Sequence, residues 1–391
     1  MTSQKEIIQQ MEKAQSMGQI VWSQFKEHTL AVCGAVVILF FVTISLLAPV
    51  IESVTGLNPD NQNVANRYLP PLSKSVASTD QRESEIEKWI VQYPEIATQL
   101  QNELTEKGII TTAPDDALYE LAYKDNAEVF SILKQVKDAD TTQLKSLFDS
   151  FESYHLFGTD ELGRDVFIRL VYGTRVSMGV GVLVAIASAL IGLLVGSLAG
   201  FYGGLIDSLL MRVTDALISL PHIPVLIVLA AIDLTKLPTL EKLVTASNQS
   251  IVKMVIILCI FSWMTVARLV RGSILSIRER EFVLAARTLG ARDSTIIFRH
   301  MFPNVLAPML VSITLGVGES ILFEAALSFL GLGIMPPTPS WGNMLNNAQE
   351  LIYQAPFLAI LPGILILLTV VSFNYLGDGL QQAIDPKSIR R

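Results

Sequence analysis

The chain has 391 residues, 51% of them hydrophobic and 17% charged, with a formal net charge of −7. A mean hydropathy of +0.46 is too apolar for an ordinary soluble domain. The composition points to an all-α integral membrane protein, and no nucleic acid is expected as a partner.

Residues 1–29 form a mostly polar tail that carries Lys5, Lys13 and Lys26. The apolar run after it is too long for the core of a cleavable signal, so no processing is expected. About 20 apolar residues cross the ~30 Å hydrocarbon core. Residues 30–51 are uncharged and make the first span. Residues 52–157 are hydrophilic and are read as one extracytoplasmic acidic insertion. Its 79–154 stretch holds sixteen Asp or Glu against seven Lys or Arg. Ile86, Trp89, Ile90, Tyr93, Ile96, Leu100 and Leu104 recur at helical spacing up to Gly108. Leu118, Leu121, Val129, Ile132, Leu133, Leu144, Leu147 and Phe148 do the same farther on. This predicts a small helical subdomain, too small for a large core of its own.

The core of the protein is then residues 158–391. It opens with Gly158, Thr159, Asp160, Gly163, Arg164 and Asp165, a turn-rich, charge-balanced corner. Val166, Phe167, Leu170 and Val171 follow as an apolar stripe, which suits an interfacial helix at the outer surface. Five further spans are expected at 176–201, 216–232, 251–267, 304–333 and 355–376, making six. The third is kinked by Pro221 and Pro224. Cys33 and Cys259 lie within spans and read as small apolar residues, neither disulfide nor metal ligand. The segment between spans four and five holds seven Arg and no Lys, and the loop between spans five and six holds neither. Positive charge stays inside, so both termini and this segment are expected in the cytoplasm.

That cytoplasmic segment, 272–303, is the most informative in the chain. Residues 281–303 read EFVLAARTLGARDSTIIFRHMFP. Ala285 and Ala286 are small residues in a short helical run closed by Leu289, and Gly290 sits where a C-cap wants φ > 0. Asp293 is expected as the N-cap of a second short helix through Arg299, and Pro303 is tolerated near the start of the next span. A small-residue surface fringed by arginine suits gripping by a separate protein. Downstream, span five carries Glu319 and Glu324. A mid-membrane carboxylate costs roughly 2.5–3.5 kcal/mol, so each faces protein or water. Glu319 is the better candidate for lining a cavity through the membrane; an interhelical hydrogen bond is the other reading. After Gly331 and Gly333 break the helix, Pro336, Pro337 and Pro339 stiffen an external loop. There Trp341, followed by Gly342, suits a membrane interface.

The segment resembles the coupling loop of permease subunits in ATP-binding-cassette importers. Against the generic loop, Leu284 stands for the Glu, His300 for the Ile and Phe302 for the Leu. Against the dipeptide/oligopeptide form EYVxAARxLGA…RHxLPN, Glu281, Ala285, Ala286, Arg287, Leu289, Gly290, Ala291, Arg299, His300, Pro303 and Asn304 fit. The stretch GTDELGRDVFIRLVYGTRVS, 158–177, is similar to the signature before the second span of C-type subunits, with Ile168 for the usual Ser. LSFLGLG from Leu327 with Trp341-Gly342, and the tail from Asn374 to Pro386, resemble that family too. The resemblance covers span one and residues 155–391, not the insertion.

It implies the type I ABC importer fold and half of a path for di- or oligopeptides. It also implies a homologous permease partner, two ATP-binding subunits, an extracytoplasmic solute-binding protein and a bacterial inner-membrane location. Related systems carry nickel, glutathione or antimicrobial peptides. The insertion is read as a docking element for the binding protein or the second permease, or as a passive addition. No G-x-x-x-x-G-K-[ST] loop is present, so ATP and magnesium belong to the partners and this chain binds no cofactor. No zinc-ligand spacing, GxSxG elbow or HExxH occurs. A membrane enzyme or a self-contained channel or carrier are the competing readings, and the exposed Ala-Ala/Gly loop favours an external motor.

Overall fold

A computed structural model describes residues 17–77, 79–106, 118–119, 152–232, 248–346 and 348–384. Two compact units emerge, Met1–Ile51 with Arg169–Arg391, and Glu52–Ile168.

The chain enters with α1 (Met17–Glu27) and α2 (Thr29–Thr55). Phe25 and Ala31 cluster with Ala383 near the other end of the chain. The remaining α2 surface stays apolar, with Leu39, Phe40 and Leu46 exposed, as a helix facing hydrocarbon requires.

In the second unit, β1 (Ser73–Val76) runs into α3 (Thr79–Gln92) and α4 (Pro94–Glu106). These are the helices expected from the apolar spacing, and they bury Ile86, Trp89, Ala97 and Leu104. Leu118 is buried too; the expected run from Leu121 to Phe148 lies outside the described residues. Strands flank these helices. β2 (Glu152–His155) pairs antiparallel with β1, Ser73 opposite His155 and Val76 opposite Glu152. Val76 and Glu152 therefore lie side by side, and the chain between them leaves and returns at neighbouring points of one two-stranded sheet.

The expected interfacial helix and second span are one element, α5 (Val166–Tyr202), 37 residues long. Its first turns hold no Pro, and Val166, Ile168, Leu170 and Val171 are all buried, so no separate surface helix forms. The third span departs further. It is two helices, α6 (Gly204–Ile218) and α7 (His222–Ala230), bent by 85°. Pro221 has no N–H to continue α6 and sits as the N-cap of α7, where that loss is harmless. The described chain has five helices long and apolar enough to cross a membrane, or six with this bent pair as one span.

Helix α8 (Gln249–Arg278) packs on α5 along Gly192, Gly196 and Gly200. This four-residue spacing keeps three hydrogens in a row on one helix face. A Cβ at Gly196 would lie 2.5 Å from the Ala267 carbonyl oxygen, so the backbones touch as in small-xxx-small packing. Three of the expected loop arginines belong to α8 instead. Arg271 makes a two-pronged ion pair with Asp207 of α6, and Arg268 pairs with Asp215. Arg278 donates to the Gly200 and Phe201 carbonyls at the end of α5, satisfying acceptors that a helix end leaves open.

The chain continues through α9 (Glu281–Thr288), α10 (Phe302–Phe329), α11 (Trp341–Met344), α12 (Ala348–Leu351) and α13 (Phe357–Ile384). One apolar cluster joins α8, α9 and the start of α10 through Val270, Ile274, Val283, Ile296, Met301 and Val305. A second joins α5, α7, α8 and α10 through Val184, Leu226, Ile257 and Leu327.

Candidate functional site

Helix α9 ends in a Schellman motif. The Ala291 N–H donates to the Ala286 carbonyl at 3.1 Å and the Gly290 N–H to the Arg287 carbonyl at 3.0 Å. Gly290 has φ +77° and open space around its Cα, so the turn needs glycine for backbone reasons alone. The two alanines separate: Ala286 is buried with Val283 while Ala285 is exposed. The small-residue face expected for the pair is thus half core. What projects instead is apolar and larger, Leu289 at 88% and Phe298 at 67% exposure. Leu289 directly precedes the φ > 0 Gly290, whereas Phe298 carries no such local signal. The Arg287 guanidinium lies 5.6 Å from the Phe201 ring centroid, pinning α9 to the end of α5 by a cation–π contact. Glu281 and Arg299 are exposed, and Ala291 is half-buried.

Asp293 is not an N-cap. Arg292 takes that position without a side-chain bond, and Asp293 is the first residue of a short turn. The chain then passes through a π-helical turn, Ile296–Met301, straight into α10, with Pro303 in its first turn. No loop intervenes, because Pro303 sits where a missing N–H costs little.

Glu324 is fully buried. Its Oε2 accepts from the Ser177 hydroxyl of α5 at 3.0 Å, and its Oε1 from Ser328 at 2.7 Å. Those hydroxyls in turn accept from the backbone N–H groups of Trp341 (3.1 Å) and Ile334 (3.0 Å). One carboxylate thereby fixes α5, α10 and the loop after α10. Glu324 thus makes an interhelical hydrogen bond and is closed off from the surface of this chain. Trp341 is also corrected: it is buried, not interfacial, with Nε1 donating to the Leu170 carbonyl at 3.3 Å and its ring edge-on to Phe41. Gly342 packs on Ala325 and Ser328, where a Cβ would come within 2.7 Å. Ser177 and Ser328 were not singled out from the sequence. Their signals were present, an i,i+4 step from Glu324 to Ser328 and the Ser at the end of GTRVS.

Glu319 is exposed and, among the described residues, makes no hydrogen bond or ion pair. Ser312, Leu315, Leu322 and Ala326 recur on its face of α10 at helical spacing.

The corner at 158–165 belongs to the second unit. Asp160 accepts from the backbone N–H groups of Leu162 and Arg164 and from Arg164 Nε at 2.7 Å. Thr159 bridges the chain by donating to the Asn66 carbonyl and accepting from the Leu69 N–H. A Cβ at Gly163, φ +72°, would collide with the Asn63 carbonyl oxygen. Gly158, φ +77°, accepts from the Val166 N–H. Asp165 caps α5, with Oδ1 accepting from the Ile168 N–H, and Oδ2 accepts from His155 Nδ1 at 2.6 Å. The other ring nitrogen, Nε2, lies 2.7 Å from the Ser75 hydroxyl. This buried relay ties β1, β2 and the start of α5.

A family model for the inner membrane component of binding-protein-dependent transport systems matches residues 192–390. A second, for the N-terminal transmembrane domain of oligopeptide transport permease C, matches residues 16–71. The chain belongs to this permease family. It is 41% identical over 233 residues to the dipeptide transport system permease protein DppC of Alkalihalophilus pseudofirmus. It is 43% identical over the same length to the glutathione transport system permease protein GsiD of Escherichia coli. Both alignments cover 60% of this chain and 72% of the relative. A chain of the MetNI methionine ABC transporter, solved in inward-facing conformations, matches with TM-score 0.44 at 19% identity, covering 56% of this chain and 97% of that one. The permease is thus a multi-pass membrane component of an ABC importer. Its relatives are transport system permease proteins. Among the described residues no cluster of His, Cys, Asp or Glu is arranged to hold a metal.

Proposed function

We propose that the permease forms half of an ATP-driven import path for di- and oligopeptides. The observation that carries this is mechanical. An exposed helix, α9, is closed by Gly290 and, after the short link Ala291-Arg292, leads into helical turns that run unbroken into α10, and one apolar cluster packs α9 against the start of α10. A push on α9 is therefore transmitted to the helix that bears Glu319 and Glu324. Leu289 and Phe298 insert into an ATPase subunit, with Arg280, Arg292 and Arg299 at the rim. The chain binds no nucleotide itself. A homologous permease completes the path, two ATPases work from the cytoplasm where both termini lie, and a binding protein delivers substrate outside in the bacterial inner membrane. Movement between inward- and outward-open states is rigid-body rocking around a central site.

Glu319 faces that path, because a lipid-facing carboxylate without a partner is costly; there it meets the ammonium group of a peptide. Small peptides accommodate both of the relatives' substrate names, since glutathione is itself a tripeptide. The test is reconstitution of the permease with its partners in liposomes. Peptide uptake that requires ATP and the binding protein is expected; ATP-independent uptake would point to a self-contained carrier.

A further inference from the structure

We infer that Lys253 and the recess it lines bind the free carboxylate of a peptide at the mouth opposite the coupling helix. The inference rests on the peptide reading above and adds a second substrate contact to it. The recess has a volume of about 400 Å³ and lies between the end of α7, the start of α8 and the loop after α10. That is within the usual range for small-ligand sites, roughly 300–1,000 Å³. Ala231, Gln249, Ser250, Gly333 and Thr338 line it beside Lys253.

Charge decides the ligand. Lys253 is half-buried and, among the described residues, has no hydrogen bond or ion pair. No Asp or Glu is among the described lining residues. A partly desolvated ammonium that no described residue pairs is unfavourable, and an incoming carboxylate removes that cost. Ser250 and Gln249 line the recess beside it and supply neutral donors.

Position decides the role. Lys253 precedes Arg278 by 25 residues on one continuous helix, which at 1.5 Å per residue puts it ~37 Å from the coupling end. It is ~6 Å from the far end of α8, whereas Glu319 is ~15 Å inside the corresponding end of α10. An ammonium at the mouth and a carboxylate deeper in are charges of the two signs that a zwitterionic peptide presents in complement.

The experiment uses the complete transporter in liposomes, with a dipeptide and its C-terminal amide as probes. Lys253→Met is expected to raise the half-saturation concentration for the free acid at least about tenfold, the scale of a lost charged hydrogen bond. The amide is expected to change less than about twofold, and Lys253→Arg to keep most of the acid's uptake. As a second readout, the free acid and not the amide should shield Lys253 of the wild type from an amine-reactive reagent. Equal effects on acid and amide, or shielding by both, would overturn the assignment. So would an effect that follows only the anionic-lipid content of the liposomes, which would make the ligand a headgroup phosphate. Failure of the peptide reading looks different: the wild type would then take up neither peptide, and neither would shield Lys253.

Discussion

Ser177 donates a 3.0 Å hydrogen bond to Glu324, 147 residues later in the chain. The same hydroxyl accepts from the Trp341 N–H, so two sequence-remote helices and the loop beyond them share one buried oxygen. This polar knot, rather than a path-lining charge, accounts for one of the two carboxylates in span five.

Glu324→Ala is expected to strand the Ser177 and Ser328 hydroxyls. Each buried polar group without a partner costs roughly 1–3 kcal/mol, so assembly and thermal stability in detergent should fall clearly. Glu324→Gln keeps the shape and one acceptor and should fall less. Equal melting of Ala, Gln and wild-type proteins would show that the knot contributes nothing to stability.

Gly290→Val should abolish coupled uptake while the subunit still inserts, because a β-branched residue at φ +77° is strained by roughly 1–2 kcal/mol or more. Gly290→Asn tolerates the left-handed region and meets open space, so it should retain most activity. Normal uptake and normal transport-linked ATP hydrolysis in the Val variant would remove α9 from the coupling role.

Gly196→Leu should separate α5 from α8, since even a Cβ comes within 2.5 Å of a backbone oxygen there. Overpacking of this kind costs typically 1–3 kcal/mol. The checking measurement is the yield and melting temperature of the purified complex, with Gly272→Leu, where nothing lies within 4 Å, as the control. Similar behaviour of the two variants would contradict close backbone packing.

Glu319→Gln should change uptake of peptides with a free amino terminus more than uptake of N-blocked ones. The two uptake rates, measured side by side, decide between a path-facing carboxylate and an assembly contact. If both peptides lose equally, the residue serves assembly.

Replacing residues 77–151 by a short Asn-Gly turn should leave the β1–β2 pairing, the spans and ATPase binding intact. Apparent affinity for the binding protein should weaken, most at low ionic strength, as expected of an acidic docking surface. A cut extended through 154 should be worse, because it removes most of β2 and with it the register that presents His155 to Ser75 and Asp165. Unchanged binding and uptake in the shorter deletion would mean the insertion has no docking role.

Hydrophobic runs, arginine placement and local turn chemistry are properties of neighbouring residues, and they were legible in the sequence. The spans, the Gly290 turn, the Asp160–Arg164 corner and the first two insertion helices all follow from contacts within a few positions. Tertiary structure decided what depends on remote neighbours. Only packing shows that Ala286 faces inward and Ala285 outward, that Trp341 is buried, or that Glu324 is matched while Glu319 has no partner among the described residues. Two carboxylates five residues apart on one helix present the same composition to a sequence reader. Their surroundings differ because a helix turns about 100° per residue, and what lies across each face comes from elsewhere in the chain. The strands β1 and β2 were hidden for the same reason: each is four residues long, and only pairing across the insertion makes them a sheet.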